Sequence, residues 1–127
     1  MSQTSATSGI WQHAVALPGG PAGFTVRTTV PGNPDGVEVM LETWEAGASE
    51  PPHSHPGDDM TVVVEGRMVL QFFVRHDGTL VPDGAPVELR AGETGYVAAG
   101  RIHDARYVEP CRLVYVHDRA FGFTAEE

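Results

Sequence analysis

Positive charge, cysteine, helix-forming runs and long apolar stretches are all scarce in this 127-residue chain. Basic residues number 8, all of them arginine, against 17 acidic ones, for a formal net charge of -9. The arginines are scattered singly, so there is no basic patch to neutralise phosphates, and nucleic acid is not an expected partner. The single cysteine, Cys111, has no partner for an internal disulfide. The opening stretch MSQTSATSGI has neither a positively charged n-region nor an apolar h-region. No segment approaches the roughly 18 apolar residues of a membrane span. The expectation is a soluble chain in a reducing, cytoplasmic setting with no membrane partner.

Hardly any run carries helix formers at a period of 3.6, whereas 15 Gly and 10 Pro supply turns. At 41% hydrophobic, the chain can bury one core but hardly two. Residues 1–9 are rich in Ser and Thr without apolar periodicity, too little to offset the entropy of ordering them, so a flexible tail is expected there and a single domain over 10–127. From Phe24 the pattern alternates, with Phe24, Val26, Thr28 and Val30 on one face of a half-buried strand. PGNPDG supplies a turn, and Val37, Val39 and Leu41 then alternate with Glu38, Met40 and Glu42. MTVVVEG and RMVLQFFVR follow, the second placing Met68, Leu70, Phe72 and Val74 on one side. Further strands are predicted near Val87 to Leu89, Thr94 to Val97, Ile102 to Val108 and Arg112 to Val116. This many short strands with turn signals between them predict an all-β sandwich or small barrel.

PPHSHPGDDM gathers two of the chain's 6 histidines and two aspartates. Residues two apart on a strand point the same way, so His53 and His55 aim at one point if the segment is extended, as Pro51 and Pro52 favour. Asp59 can swing back to the same centre past the PG bend, and His103 can close the site from a later strand. Three imidazoles and a carboxylate suit Fe, Mn, Ni or Zn and leave positions open for substrate. Asp58 shares strand parity with Met60, Val62 and Val64, so the aspartate that points inward depends on whether the bend resets the alternation. The other reading of Asp58 is a loop or cap role. His117 lies beyond the last clear strand, where solvent exposure is expected, with support of the site or proton transfer as the alternative. Tyr96, Tyr107, Tyr115, Phe72 and Phe73 are expected in the core or the pocket wall. MTVVVEG is apolar on both faces, so a second subunit or the N-terminal strand should cover its outer side.

The spacings resemble those of the cupin superfamily. Its first motif runs Gly, five residues, His-x-His, three or four residues, Glu, six residues, Gly; here Gly47, His53, His55, Asp59 and Gly66 occupy the anchors, with Asp for Glu. The second runs Gly, five residues, Pro-x-Gly, two residues, His, three residues, Asn; here Gly92, Ala98, Gly100, His103 and Tyr107 stand there, with Ala for Pro and Tyr for Asn. The resemblance implies a small antiparallel β-barrel of jelly-roll type, the cupin-like double-stranded β-helix. It also implies one divalent metal ion per chain at His53, His55, Asp59 and His103, and family habit favours a homodimer. Asp59 is one methylene shorter than Glu, so either it ligates or a three-histidine site remains. The resulting expectation is a metal-dependent enzyme, of dioxygenase, isomerase or lyase type, acting on a small oxygen-chelating molecule, with Tyr107, Asp58 or His117 as its general base. The alternative is a metal-loaded module that binds or senses a small molecule without altering it. Metal affinity is expected to fall as pH drops through roughly 6.5, where free imidazole protonates.

Overall fold

The computed structural model describes residues 9–33 and 35–127. The tail expected over 1–9 therefore lies, apart from Gly9, outside the described residues, as does Pro34 of the first turn. Gly9 opens a 3-10 turn, Gly9–Trp11. Eleven strands follow: β1 Phe24–Arg27, β2 Glu38–Trp44, β3 Ser49–Ser54, β4 Asp59–Glu65, β5 Arg67–His76, β6 Thr79–Pro82, β7 Val87–Arg90, β8 Thr94–Val97, β9 His103–Tyr107, β10 Cys111–His117 and β11 Thr124–Ala125. No α-helix occurs among the described residues.

One antiparallel sheet has the order β1-β2-β10-β4-β8 and the other β11-β3-β9-β5-β6, with β7 also on β5. They face each other as an open sandwich in the expected jelly roll. Side chains from both sheets meet between them, where Trp44, Val63, Met68, Leu70, Ala105, Tyr107 and Leu113 form the main core. Trp44 stacks on Tyr107 at 4.1 Å and on Phe24 at 4.3 Å, tying β2 to β9 across the gap. Fully burying a side chain the size of Leu113 contributes about 2 kcal/mol. The β4–β5 corner needs Gly66, whose φ is +92° and where a Cβ would lie 2.8 Å from Cys111 Sγ.

Two details depart from the alternation in the sequence. The first strand stops at Arg27, opposite Leu41, and Val30, expected on its buried face, is 89% exposed. In β2 it is the acidic set that turns inward: Met40, Glu42 and Trp44 are buried, while Val39 faces out. Trp44 and Met40 supply the apolar burial of that face, which carries Glu42 inside with them.

Candidate metal centre

The sandwich places its polar residues at one end of a cavity of about 790 Å³, whose lining includes His53, His55, His103, Asp59, Glu50 and Glu42. His53 ends the regular part of β3 and pairs directly with His103 at the start of β9. All three imidazoles are buried, and each is oriented through Nδ1. His53 Nδ1 lies 2.7 Å from the Pro51 carbonyl oxygen, His55 Nδ1 2.7 Å from that of Gly122, and His103 Nδ1 2.9 Å from that of Arg101. A carbonyl oxygen only accepts, so each Nδ1 donates a proton and Nε2 is the nitrogen left to ligate. One ligand atom from each of the three histidines lies within 4.8 Å of the others, and among the described residues this is the one such cluster. Backbone carbonyls fixing the tautomer of converging histidines are the support a metal site requires. The donor set therefore fits a divalent ion of the Zn, Fe, Mn or Ni type.

Burial sets the protonation. Loss of water pushes the pKa of His55 and of His103 down to about 4, chiefly by desolvation, so both are neutral and ready to ligate at pH 7. The structure thus moves the acid limit for these two ligands well below the 6.5 of free imidazole. Asp59 is pushed up to about 6 by desolvation, against the lowering effect of its bond from Tyr115. Glu42 is pushed up to about 8 by desolvation and then by the charge of Glu50.

The bend before β4 does reset the parity. Asp59, Thr61 and Val63 face inward, while Met60, Val62 and Val64 face out. Asp59 is 2% exposed and lines the cavity, where its Oδ2 accepts the Tyr115 hydroxyl at 2.7 Å; it stands outside the 4.8 Å histidine cluster. Asp58 does not line the cavity: its Oδ1 accepts the Ala99 N–H at 2.7 Å, which pins the β3–β4 bend to the β8–β9 loop and lowers its pKa. Tyr107 lines the cavity wall and donates its hydroxyl to Glu50 Oε1 at 2.7 Å. His117, expected in solvent, is fully buried. It is the last residue of β10, paired with Asp59, and its ring lies 5.8 Å from that of His55 and 5.5 Å from that of Phe121. Neither of its ring nitrogens has a hydrogen-bond partner, and desolvation lowers its pKa.

The sequence reading passed over two contributors. The C-terminal strand β11 pairs with β3, Thr124 against Ser54 and Ala125 against His53, and brings Phe121 and Phe123 over the imidazoles. Two phenylalanines two apart in a polar tail were the available signal. Glu50 is the other. It faces the site because the β3–β9 register shifts by one residue between Glu50 and His53, a β-bulge at Pro51 and Pro52 that puts two residues of opposite parity on the same side. Desolvation raises the pKa of Glu50, opposed by His53 and the Tyr107 hydrogen bond.

The cupin domain family matches residues 40–117, which include all four positions named for the metal. No curated protein sequence matches the chain. Among solved structures, KdgF from Halomonas sp. is similar at 20% identity and a TM-score of 0.62, over 84% of this chain and 86% of that one. A cupin superfamily protein from Desulfitobacterium hafniense is similar at 18% identity and a TM-score of 0.58, over 73% of this chain and 76% of that one. Oxalate decarboxylase from Bacillus subtilis is similar at 20% identity and a TM-score of 0.66, over 87% of this chain but only 29% of its own length. At these identities the likeness establishes the fold.

Proposed function

This chain belongs to the cupin family, and on that premise we propose that it is a metal-dependent enzyme acting on a small organic molecule that chelates the ion through oxygen. The observation that carries the reading is the convergence of three buried imidazoles, one ligand atom of each within 4.8 Å of the others and each ring held through Nδ1 by a backbone carbonyl. His53, His55 and His103 hold one divalent ion, iron, manganese, nickel or zinc, while Asp59 lines the same cavity from β4 with its carboxylate engaged by Tyr115. When bound, such an ion polarises a chelated carbonyl or carboxylate, or lowers the pKa of a bound water. The chain's own residues do the rest. Phe121 and Phe123 shield the imidazoles from water. Tyr107, hydrogen-bonded to Glu50, offers a hydroxyl on the cavity wall for holding or passing a proton. Asp58 and His117 lie outside the lining, where they brace the β3–β4 bend and the His55 ring.

The lining also bears on the substrate. It carries Glu38, Glu42, Glu50 and Asp59 but no arginine, and the chain has no lysine. A small dianion such as oxalate, named for one of the neighbours, would find no cation here beyond the metal and would leave most of the 790 Å³ empty. The cavity instead suits a larger molecule with one oxygen-chelating end and an uncharged, largely apolar body.

The outer face of the five-stranded sheet supports a homodimer. Val39, Val116, Met60 and Tyr96 lie side by side across four strands, with Met60 47% and Tyr96 57% exposed. Among the described residues the N-terminal turn meets this face at Arg112, through Trp11. No helix among the described residues is long and apolar enough to cross a membrane. The lone, buried, free Cys111 supports a reducing, cytoplasmic setting.

The test is turnover. Protein stripped of metal and reloaded separately with iron, manganese, nickel or zinc is incubated with a panel of oxygen-chelating compounds, and products are followed by mass. Conversion that a chelator abolishes is the expected result. Conversion only with iron and oxygen assigns a dioxygenase, and conversion with the other ions an isomerase or lyase. Binding without change in any compound assigns a non-catalytic binding module.

A further inference from the structure

Glu50 lies three residues before His53, between the anchors of the first motif, yet the fold delivers it to the metal site. On a regular strand those two residues would face opposite sides of the sheet. Glu50 pairs with Ala105 and His53 with His103, so β3 carries one extra residue between the two pairs, and the bulge turns both side chains inward. Glu50 Oε2 then lies 3.8 Å from His53 Nε2. His53 donates through Nδ1 to the Pro51 carbonyl, so Nε2 is the ring nitrogen that meets the carboxylate. A buried carboxylate needs a donor or a cation beside each of its oxygens. The other carboxylate oxygen is occupied by the Tyr107 hydroxyl at 2.7 Å, which fixes the direction of Oε2. Two ligands of one ion, each about 2.1 Å from it, can stand up to about 4.2 Å apart; the separation from His53 falls inside that limit, while Glu50, like Asp59, stands outside the 4.8 Å cluster of all three histidines, at a distance that one water bridges. Asp59, which occupies the carboxylate position of the family pattern, is instead engaged by Tyr115.

We propose that Glu50, rather than Asp59, is the carboxylate that meets the bound ion, through one bound water. The inference rests on the three-histidine reading above and assigns its anionic partner. The bulge and Tyr107 are then the devices that position it, and a chain lacking either would leave the ion to the imidazoles alone.

Cobalt(II) titration, read by visible absorption, tests this on the full chain. Glu50→Gln keeps the shape and removes a buried charge, and it should weaken cobalt binding by about 10- to 100-fold and shift the visible bands, as loss of a metal's supporting anion does. Glu50→Asp, a second variant that keeps the charge but withdraws the oxygen, should also weaken binding. Asp59→Asn should stay within about threefold of wild type, less than the cost of losing such a partner. Wild-type affinity and bands in a folded Glu50 variant would overturn the proposal, leaving Glu50 as no more than an ion-pair partner for a protonated His53. A larger loss in Asp59→Asn than in Glu50→Gln would also overturn it. Failure of wild-type protein to bind cobalt at all would instead bring down the three-histidine reading, and this inference with it.

Discussion

Glu42→Gln should change how stability depends on pH, and by a calculable amount. Glu42 is 8% exposed, accepts the Trp44 indole N–H at 2.9 Å, and has a pKa pushed up to about 8 from 4.5. Because the folded pKa is the higher, the folded state binds the extra proton between those values. The resulting stability is complete below about pH 4.5 and is lost as pH rises through 8. Glu50 and Cys111 are raised by burial as well, so the share of Glu42 is read as the difference between wild type and variant. Between pH 6.5 and 8.5 Glu42 alone should therefore lower the unfolding free energy by about 2 kcal/mol, at about 1.4 kcal/mol per pKa unit. Glutamine keeps the acceptor for Trp44 and never ionises, so the variant's curve should lack this fall of about 2 kcal/mol. Urea unfolding of metal-free protein at constant ionic strength, at pH 6.5, 7.5 and 8.5, measures both. Parallel curves for wild type and variant would refute the assignment of a neutral acid to the cavity.

Other consequences follow from the same geometry. Between pH 7 and about 5.5 zinc affinity should fall far less steeply than the three-proton dependence of three free imidazoles, because His55 and His103 stay unprotonated until near 4; a three-proton slope in a competition titration would show that burial does not protect them. Leu113→Ala, at a site 1% exposed between the sheets, should cost about 3 kcal/mol in chemical unfolding, and a cost under about 1 kcal/mol would mean the core is looser than its contacts imply. Met60→Asp and Val62→Asp place charge on the outer face of β4; they should convert a dimer to a monomer in light scattering without changing thermal stability of the monomer, and a monomeric wild type at micromolar concentration would contradict the dimer.

Much of the site could be read from residue spacing because its geometry is local. His53 and His55 lie two apart on an extended segment that prolines favour, and His103 follows a turn at fixed distance from Gly92. The alternation of β5, β8 and β10 likewise shows directly in their residues. The inward aspartate turned on a bend whose effect on parity the residues alone leave open, and the structure resolves it for Asp59. Glu50 escaped because a bulge reverses parity, and a bulge is a property of pairing with β9 rather than of β3 itself. His117 escaped for a related reason: its burial depends on Phe121 and on the His55 ring, both supplied by segments outside β10. In β2 the apolar valine face turned outward, because Trp44 and Met40 outweigh two glutamates in deciding which side is buried.

The central claim, that three imidazoles share one ion, is tested most directly by metal content. Wild-type protein, His53→Ala and His103→Ala are each saturated with zinc, desalted and analysed by inductively coupled plasma mass spectrometry, with circular dichroism to verify the fold. The account predicts close to one ion per wild-type chain and far less in either folded variant. Equal loading of all three proteins, or a wild type that retains no zinc, would contradict it.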